Sequence, residues 1–264
     1  MMQLDDVVSS TANDQDRYLE AVHRSIRWYD RCRKAHESSG RHRLQNLYPI
    51  IQGGLSADLR AISVRELVAR DPPGIAIGGL SGGEEKLAFI EMVAASTENL
   101  PPGKPRYLMG VGYATDMLLC VALGCDQFDC VFPTRTARFG SALVGLGRQI
   151  SLLKAEFLTD LGPVDEACDC STCTSTTRSY LSHLFRAKNP VACQLLTTHN
   201  LRFQMRFMEA IRAAISGGSF VDFMKEVLVD NFGSEKSGED WPDWVRRALE
   251  ILGLEEEVFG GGGK

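Results

Sequence analysis

Gln127-Phe128-Asp129-Cys130-Val131-Phe132-Pro133-Thr134-Arg135-Thr136-Ala137-Arg138-Phe139-Gly140 reads as an apolar run of strand length that carries one carboxylate and stops at a proline. Two arginines three residues apart follow, and then a glycine. An aspartate inside an apolar strand is costly to bury as an anion unless the site uses or pairs its charge. Two readings of Asp129 follow: a strand-end residue capping the next turn, or a nucleophilic carboxylate at the mouth of a parallel sheet. In the second, Arg135 and Arg138 lie on the following loop and hold an anionic substrate.

Working back from this stretch, strand and helix patterns alternate. Met1 to Val8 reads as a strand, Gln15 to His36 as an amphipathic helix, and Leu47 to Ile51 as a strand ending at Gln52-Gly53-Gly54. Asp58 to Val68 is a helix, Gly74 to Ile77 a strand ending in glycines, and Glu84 to Ala95 a helix. Arg106 to Gly112 is a strand and Asp116 to Leu123 a helix. This rhythm is that of βα units on a parallel sheet, and the chemically suggestive residues fall at the strand ends. It predicts an α/β fold: an incomplete TIM (β/α)8 barrel of about five βα units, with a doubly wound open sheet as the competing architecture. Beyond Gly147 no further buried strand is expected. Helices are predicted over Thr177 to Arg186, Thr198 to Ile215, Val221 to Val229 and Trp241 to Leu252. The organisation expected is a partial barrel over residues 1–147, a metal-binding helical subdomain over 148–232, and an acidic tail over 233–264 with a disordered glycine-rich end.

With 264 residues, 44% hydrophobic and 24% charged, the composition is that of a soluble globular protein. No apolar run reaches bilayer length and the start lacks a signal-peptide layout, so a cytosolic address is expected. A net charge of −5 excludes a globally basic nucleic-acid binder, leaving local basic clusters. Five of the eight cysteines are scattered; Cys168-Asp169-Cys170-Ser171-Thr172-Cys173 gathers the other three as C-x-C-x2-C. Three thiolates so close repel unless a metal holds them, and a closed structural Zn²⁺ site needs four ligands. The fourth is His199, at a helix start, with His183 and Cys193 as alternatives.

The glycine pairs Gly53-Gly54, Gly78-Gly79 and Gly82-Gly83 allow close backbone approach and free N–H donors at strand ends. A flat ligand between Tyr107 and Met109, with Asp5 and Gln52 on its edge, would suit a purine, whose ring N–H and amine a carboxylate accepts. Core packing of a strand is the plainer reading of Tyr107 and Met109.

Phe128 to Arg138, Tyr107 to Gly112, Gly78 to Glu84, Ile51-Gln52-Gly53 and the cysteine set with its histidine closely resemble the queuine tRNA-ribosyltransferases, the tRNA-guanine transglycosylases, over about residues 1–229. The resemblance implies an irregular TIM barrel with a zinc-containing helical insertion, exchanging guanine for queuine at wobble position 34 of tRNAs with a G-U-N anticodon. It implies that Asp129 attacks ribose C1′ and forms a covalent ester. Asp5 grips the base edge, Gln52 and the Gly79 backbone contact its carbonyl, and Tyr107 and Met109 form the stacking walls. Gly110, Val111, Gly112, Tyr113, Ala114, Thr115 and Asp116 correspond to an RNA-contacting loop. Thr134, Arg135, Thr136, Ala137 and Arg138 correspond to the segment reading nucleotides around position 34. Cys168, Cys170, Cys173 and His199 match the zinc ligands.

Val7 and Gly82 are like the eukaryotic type, and the missing side chain at Gly82 leaves room for the cyclopentenediol of queuine. The resemblance also implies a heterodimer with a related non-catalytic subunit and a cytoplasmic address, with peripheral attachment at the mitochondrial outer membrane as a second one. The family's early strands and the motif carrying a second, general acid/base aspartate have no counterpart here, so the expectation is a truncated form. A non-catalytic tRNA- or partner-binding fragment is the alternative function.

Overall fold

The computed structural model describes residues 1–12, 14–233 and 241–259. Four short parallel strands, β1 (Ile50–Ile51), β2 (Ile75–Ile77), β3 (Arg106–Leu108) and β4 (Gln127–Phe128), lie side by side in chain order. The long helix α1 (Gln15–Ser38) precedes β1, and α2 (Ala57–Val68), α3 (Lys86–Thr97) and α4 (Ala114–Ala122) link the strands in turn. Register is fixed by pairs such as Ile51 with Ile77, Ile77 with Leu108, and Leu108 with Phe128. Ile50, Ile51 and Ile75–Ile77 are buried without alternation, as in strands covered on both faces. The α/β class with a parallel sheet is therefore observed.

By contact density the chain divides into two units. The first comprises Met1–Val111, Leu119–Asp129 and Trp241–Glu255; the second comprises Gly112–Leu118, Cys130–Asp240 and Glu256–Lys264. In the first, α1 buries Tyr18, Val22, Ile26 and Tyr29 at helical spacing, and the Asp14 carboxylate caps it by accepting from Arg17 N at 2.9 Å. Helix α10 (Asp243–Leu252) rejoins this unit against α3, through Arg247 Nε to Glu91 Oε1 at 3.1 Å and Lys86 Nζ at 4.5 Å from the Trp244 ring centre.

The second unit opens with α5 (Phe132–Arg138) and an antiparallel hairpin, β5 (Ser141–Val144) with β6 (Arg148–Ser151). It continues through α6 (Ser171–Ser175), α7 (Arg178–Arg186), α8 (Val191–Ser216) and α9 (Phe220–Phe232). No described helix is long and apolar enough to cross a membrane.

Four expectations are corrected. Met1 to Val8 forms no strand: after one bridge, Met2 with Tyr48, Asp6 is drawn to α1 by ion pairs with Arg17 and Arg24 and the Asp6 N–H donates to Ser25 Oγ. The strand before Pro133 stops at Phe128, so Asp129 lies just past it. Arg135 and Arg138 stand on a helix, not a loop, because proline in a first turn needs no N–H partner and its fixed φ suits the helix. Among the described residues no buried strand follows Gly147: β6, the one strand there, is polar and half-exposed. His199 sits well inside α8, which begins at Val191 and not at Thr198. The glycine-rich end, residues 260–264, lies outside the described residues.

Arg60 on α2 is fully buried, at 0% exposure. Its guanidinium donates to Gly54 O at 2.8 Å, Gly78 O at 3.2 Å and Ser96 Oγ at 3.1 Å, tying the turns after β1 and β2 to α3. Desolvation pushes its pKa down to about 10, still leaving it charged at neutral pH. Arg60→Ala leaves a cavity and orphaned acceptors, so we expect the unfolding free energy to fall by roughly 3–5 kcal/mol, read as a lower urea midpoint.

Candidate active site and metal centre

Asp129 is exposed one residue beyond β4, where the parallel strands present their C-terminal ends. Its Oδ1 accepts from the Tyr107 hydroxyl at 2.5 Å and from Gly110 N–H at 3.0 Å. Tyr107 is on β3, paired with Gln127 of β4, so the sheet register itself brings the phenol to the carboxylate. Burial, with the adjacent Asp129 charge adding to it, pushes the Tyr107 phenol up, so it stays protonated and donates. Gly110 has φ +82°, a left-handed turn that points its N–H at Asp129. One carboxylate oxygen is thus held by two donors, which fixes the direction of the other.

In the same unit, at the other edge of the four-stranded sheet, Gln52 follows β1 and is buried, and its Nε2 donates to Asp5 Oδ2 at 2.5 Å. Burial raises the Asp5 carboxyl above the ordinary range against the lowering effect of that hydrogen bond. A Cβ on Gly79 would stand 2.6 Å from Gln52 Oε1, and φ there is +68°, so only glycine lets the amide close over this turn. The next turn is clamped by Glu84, which accepts from Ser10 Oγ at 2.7 Å, Ser81 N at 2.5 Å and Gly82 N at 2.8 Å. Burial alone would raise the Glu84 carboxyl; these donors outweigh it and hold it below its ordinary value. Met109 is half-buried after β3, its N–H bonded to Ile77 O at 3.2 Å.

In the second unit, Tyr113 is 44% exposed, its ring centre 4.1 Å from that of Phe132. Within the predicted RNA-contacting loop, Tyr113 and Gly110 are exposed and Thr115 is half-buried, whereas Val111, Gly112, Ala114 and Asp116 are buried. On α5, Arg135 and Arg138 are exposed and Thr134 half-buried; Thr136 bonds Phe132 O at 2.7 Å and Ala137 is core.

Cys168, Cys170, Cys173 and His199 come together buried, with their ligand atoms all within 4.8 Å of one another. Tetrahedral thiolates on a divalent ion stand about 3.8 Å apart at the usual 2.3 Å bond length, so the set fits a metal ion. His199 Nε2 is 2.8 Å from Leu143 O, which only accepts, so Nε2 carries the proton. The Nδ1 lone pair then faces the thiols, 3.2 Å from Cys173 Sγ and 3.7 Å from Cys170 Sγ. Such an outer hydrogen bond fixes the ligand tautomer. Burial lowers the His199 pKa and keeps the ring neutral. Burial also pushes the Cys173 thiol up to about 12, with Cys168 and Cys170 adding to it. His183 and Cys193, the other candidates for fourth ligand, are outside this group.

Three buried polar residues missed by sequence reasoning also contribute. Arg60 steadies the Gly54 and Gly78 turns. Asn200, next to His199, accepts from Leu143 N at 3.0 Å and donates to Pro133 O and Ser141 O, each at 3.0 Å, fastening α5 to the hairpin. Gln204, one turn further, donates to Gly112 O at 2.6 Å. A polar residue on the apolar stripe of α8 is the trace each of the last two leaves in the sequence.

A family model described as "Queuine tRNA-ribosyltransferase" matches residues 1–232. The chain is 48% identical over 262 residues to the queuine tRNA-ribosyltransferase catalytic subunit of Schizosaccharomyces pombe, covering 97% of this chain and 63% of that protein. It is 44% identical over 264 residues to the Caenorhabditis elegans catalytic subunit, covering 96% of this chain and 64% of that one. Against the Thermus thermophilus queuine tRNA-ribosyltransferase, identity is 47% over 233 residues, 88% of this chain and 58% of the relative. The chain therefore spans somewhat under two thirds of the length of these relatives.

Removing one sulfur ligand leaves the metal group with three donors around a buried cation. We expect Cys173→Ala to carry no tightly bound metal by elemental analysis and to melt about 5–10 °C below the parent, a loss of a few kcal/mol for a unit of this size. A chelator should produce the same drop in the parent and none in the variant.

Proposed function

The chain belongs to the queuine tRNA-ribosyltransferase family, and from that premise we propose that it exchanges guanine for queuine at wobble position 34 of G-U-N anticodon tRNAs, with Asp129 as nucleophile. The observation that carries this reading is the Asp129 carboxylate at the strand ends, oriented through one oxygen by Tyr107 and Gly110. The other oxygen is left to attack. In the first displacement Asp129 Oδ2 bonds ribose C1′, the C1′–N9 bond breaks, and guanine leaves with that electron pair and takes up a proton at N9 from solvent water. In the second, queuine gives up its N9 proton to solvent water and attacks C1′, and the C1′–Oδ2 bond electrons return to Asp129. Splitting one difficult substitution into two suits a carboxylate facing an oxocarbenium-like centre.

Asp5 and Gln52 supply the base edge in this reading. The amide of Gln52 orients the carboxylate of Asp5 toward a purine N–H and amine, and the Gly79 turn approaches the base carbonyl without a side chain in the way. Tyr107 is committed to Asp129 through its hydroxyl, so it acts as a positioning residue while its ring, with Met109, is available to the base face. Tyr113 and Thr115, with Arg135 and Arg138, serve the flanking nucleotides by stacking and charge. Zinc is the ion proposed for Cys168, Cys170, Cys173 and His199, because a closed Cys₃His set offers no open position and braces structure alone. Functionally, residues 1–147 supply the exchange site and 148–232 the zinc-braced part. A related non-catalytic subunit and a cytoplasmic address, with the mitochondrial outer membrane as a second location, complete the proposal.

Trapping on a denaturing gel tests the covalent step. With a guanosine-34 anticodon stem-loop the chain should give an adduct that is absent in Asp129→Asn; RNA binding with no adduct in the parent supports the non-catalytic fragment instead. Base choice is read separately. A Cβ at Gly82 would lie 2.8 Å from Ser10 Oγ, so Gly82→Val should displace Ser10 from Glu84. We expect it to weaken queuine use about tenfold or more, with a smaller effect on guanine, in a radiolabelled base-exchange assay.

A further inference from the structure

Residues 15–43 hold eight Lys and Arg against four Asp and Glu, a formal +4 in a chain whose total is −5. Most globular helices balance such charges by pairing, and three of the four acids here are already committed, the fourth, Asp16, lying in the first turn of α1. Glu20 holds Arg24 and Arg27, Asp30 holds Arg70, and Glu37 holds Arg33. Arg31, Lys34, Arg41 and Arg43 are exposed and carry no ion pair among the described residues. At about 100° per residue, His23, Arg27, Arg31 and Lys34 fall within an arc of about 80° on α1. Gly40, at φ +71°, turns the chain so that the short 3-10 turn Arg41–Arg43 packs against the same helix and adds two exposed arginines near its C-terminal end.

This face lies away from the base site. The end of α1 and the turn approach Leu47 and Pro73, the residues leading into β1 and β2, around a cavity of about 240 Å³ also lined by His36 and His42. Asp129, Gln52 and Gly79 lie at the opposite, C-terminal ends of the same strands. The apolar side of α1 is spent on the core through Tyr18, Val22, Ile26 and Tyr29. It has no second apolar face to insert into a lipid surface, which leaves charge as what this stripe offers.

We propose that the unpaired cations Arg31, Lys34, Arg41 and Arg43 around the end of α1 form a docking surface for RNA phosphates, engaging a limb of the tRNA outside the anticodon stem-loop. The inference rests on the proposed function for its partner and adds a second contact region to it. From Arg31 to Lys34 the helix rises about 4.5 Å and Arg41–Arg43 follow beyond its end, so the four cations can meet neighbouring phosphates of one strand. Arginine guanidinium groups without carboxylate partners match phosphate oxygens in fork geometry. Contacts of this kind position the nucleic acid and carry no sequence preference.

The test compares the full G-U-N tRNA with its isolated anticodon stem-loop by fluorescence anisotropy across a salt series. For the parent chain we expect the full tRNA to bind about tenfold tighter or better. The set R31E, K34E, R41E and R43E should abolish that advantage, lower the full-tRNA salt slope by about three to four, and leave stem-loop affinity unchanged. R65E, a reversal on exposed α2, should change neither. Should the reversal set lower the melting temperature, the neutral set R31Q, K34Q, R41Q and R43Q reads the same quantities. Equal salt slopes in parent and variant would overturn the proposal. So would a variant losing both RNAs equally, or one that loses binding to phosphatidylserine vesicles while keeping the full-tRNA advantage. Failure of the parent to bind either RNA would overturn the proposed function along with it.

Discussion

A guanidinium with no carboxylate partner, buried to 0% exposure, holds the first unit's site in shape: Arg60 reaches the carbonyls of Gly54 and Gly78 and the Ser96 hydroxyl. A charge in that position is tolerable because three oriented acceptors replace its water, and Glu84 adds a favourable field. The consequence is local. Two glycine turns that would otherwise be the loosest parts of the sheet's rim are fastened to α2 and α3, which have their own buried faces.

On that fastened rim the candidate side chains come in pairs, each member limiting the other. Tyr107 orients Asp129, Gln52 orients Asp5, and Ser10 together with two backbone amides orients Glu84. A carboxylate fixed by donors on one side keeps its free oxygen in one place, and placement of reacting groups supplies a large part of enzymatic rate enhancement. The glycines at 79 and 110 do the complementary work, since their left-handed turns bring backbone and amide into distances that a Cβ would forbid or strain.

The second unit uses the same logic with a metal group in place of a guanidinium. Cys168, Cys170 and Cys173 come from one short stretch and His199 from the middle of α8, so an ion there closes a loop between distant segments. Asn200 and Gln204 extend the tie along α8 to Pro133, Ser141 and Gly112. Arg135 and Arg138 are thus displayed on a helix whose own inward face, Phe132 and Ala137, is anchored from behind.

Local pattern was enough for the alternation of strands and helices from Leu47 to Phe128, because buried parallel strands are continuous apolar runs and the helices between them are bounded by caps and prolines. It was enough, too, for the cysteine cluster, since ligand chemistry is written in residue types, whereas the choice of His199 over His183 and Cys193 came only with the fold. Pattern could not separate a strand from a helix across Cys130 to Phe132, where an apolar run precedes proline, nor find the polar hairpin strand Arg148–Ser151. The partners of Arg60, Asn200 and Tyr107 lie 6 to 67 residues away. Their roles exist only once the backbone has brought those carbonyls and carboxylates within hydrogen-bond reach, and a hydrogen bond's dependence on distance and direction leaves no mark on the sequence beforehand.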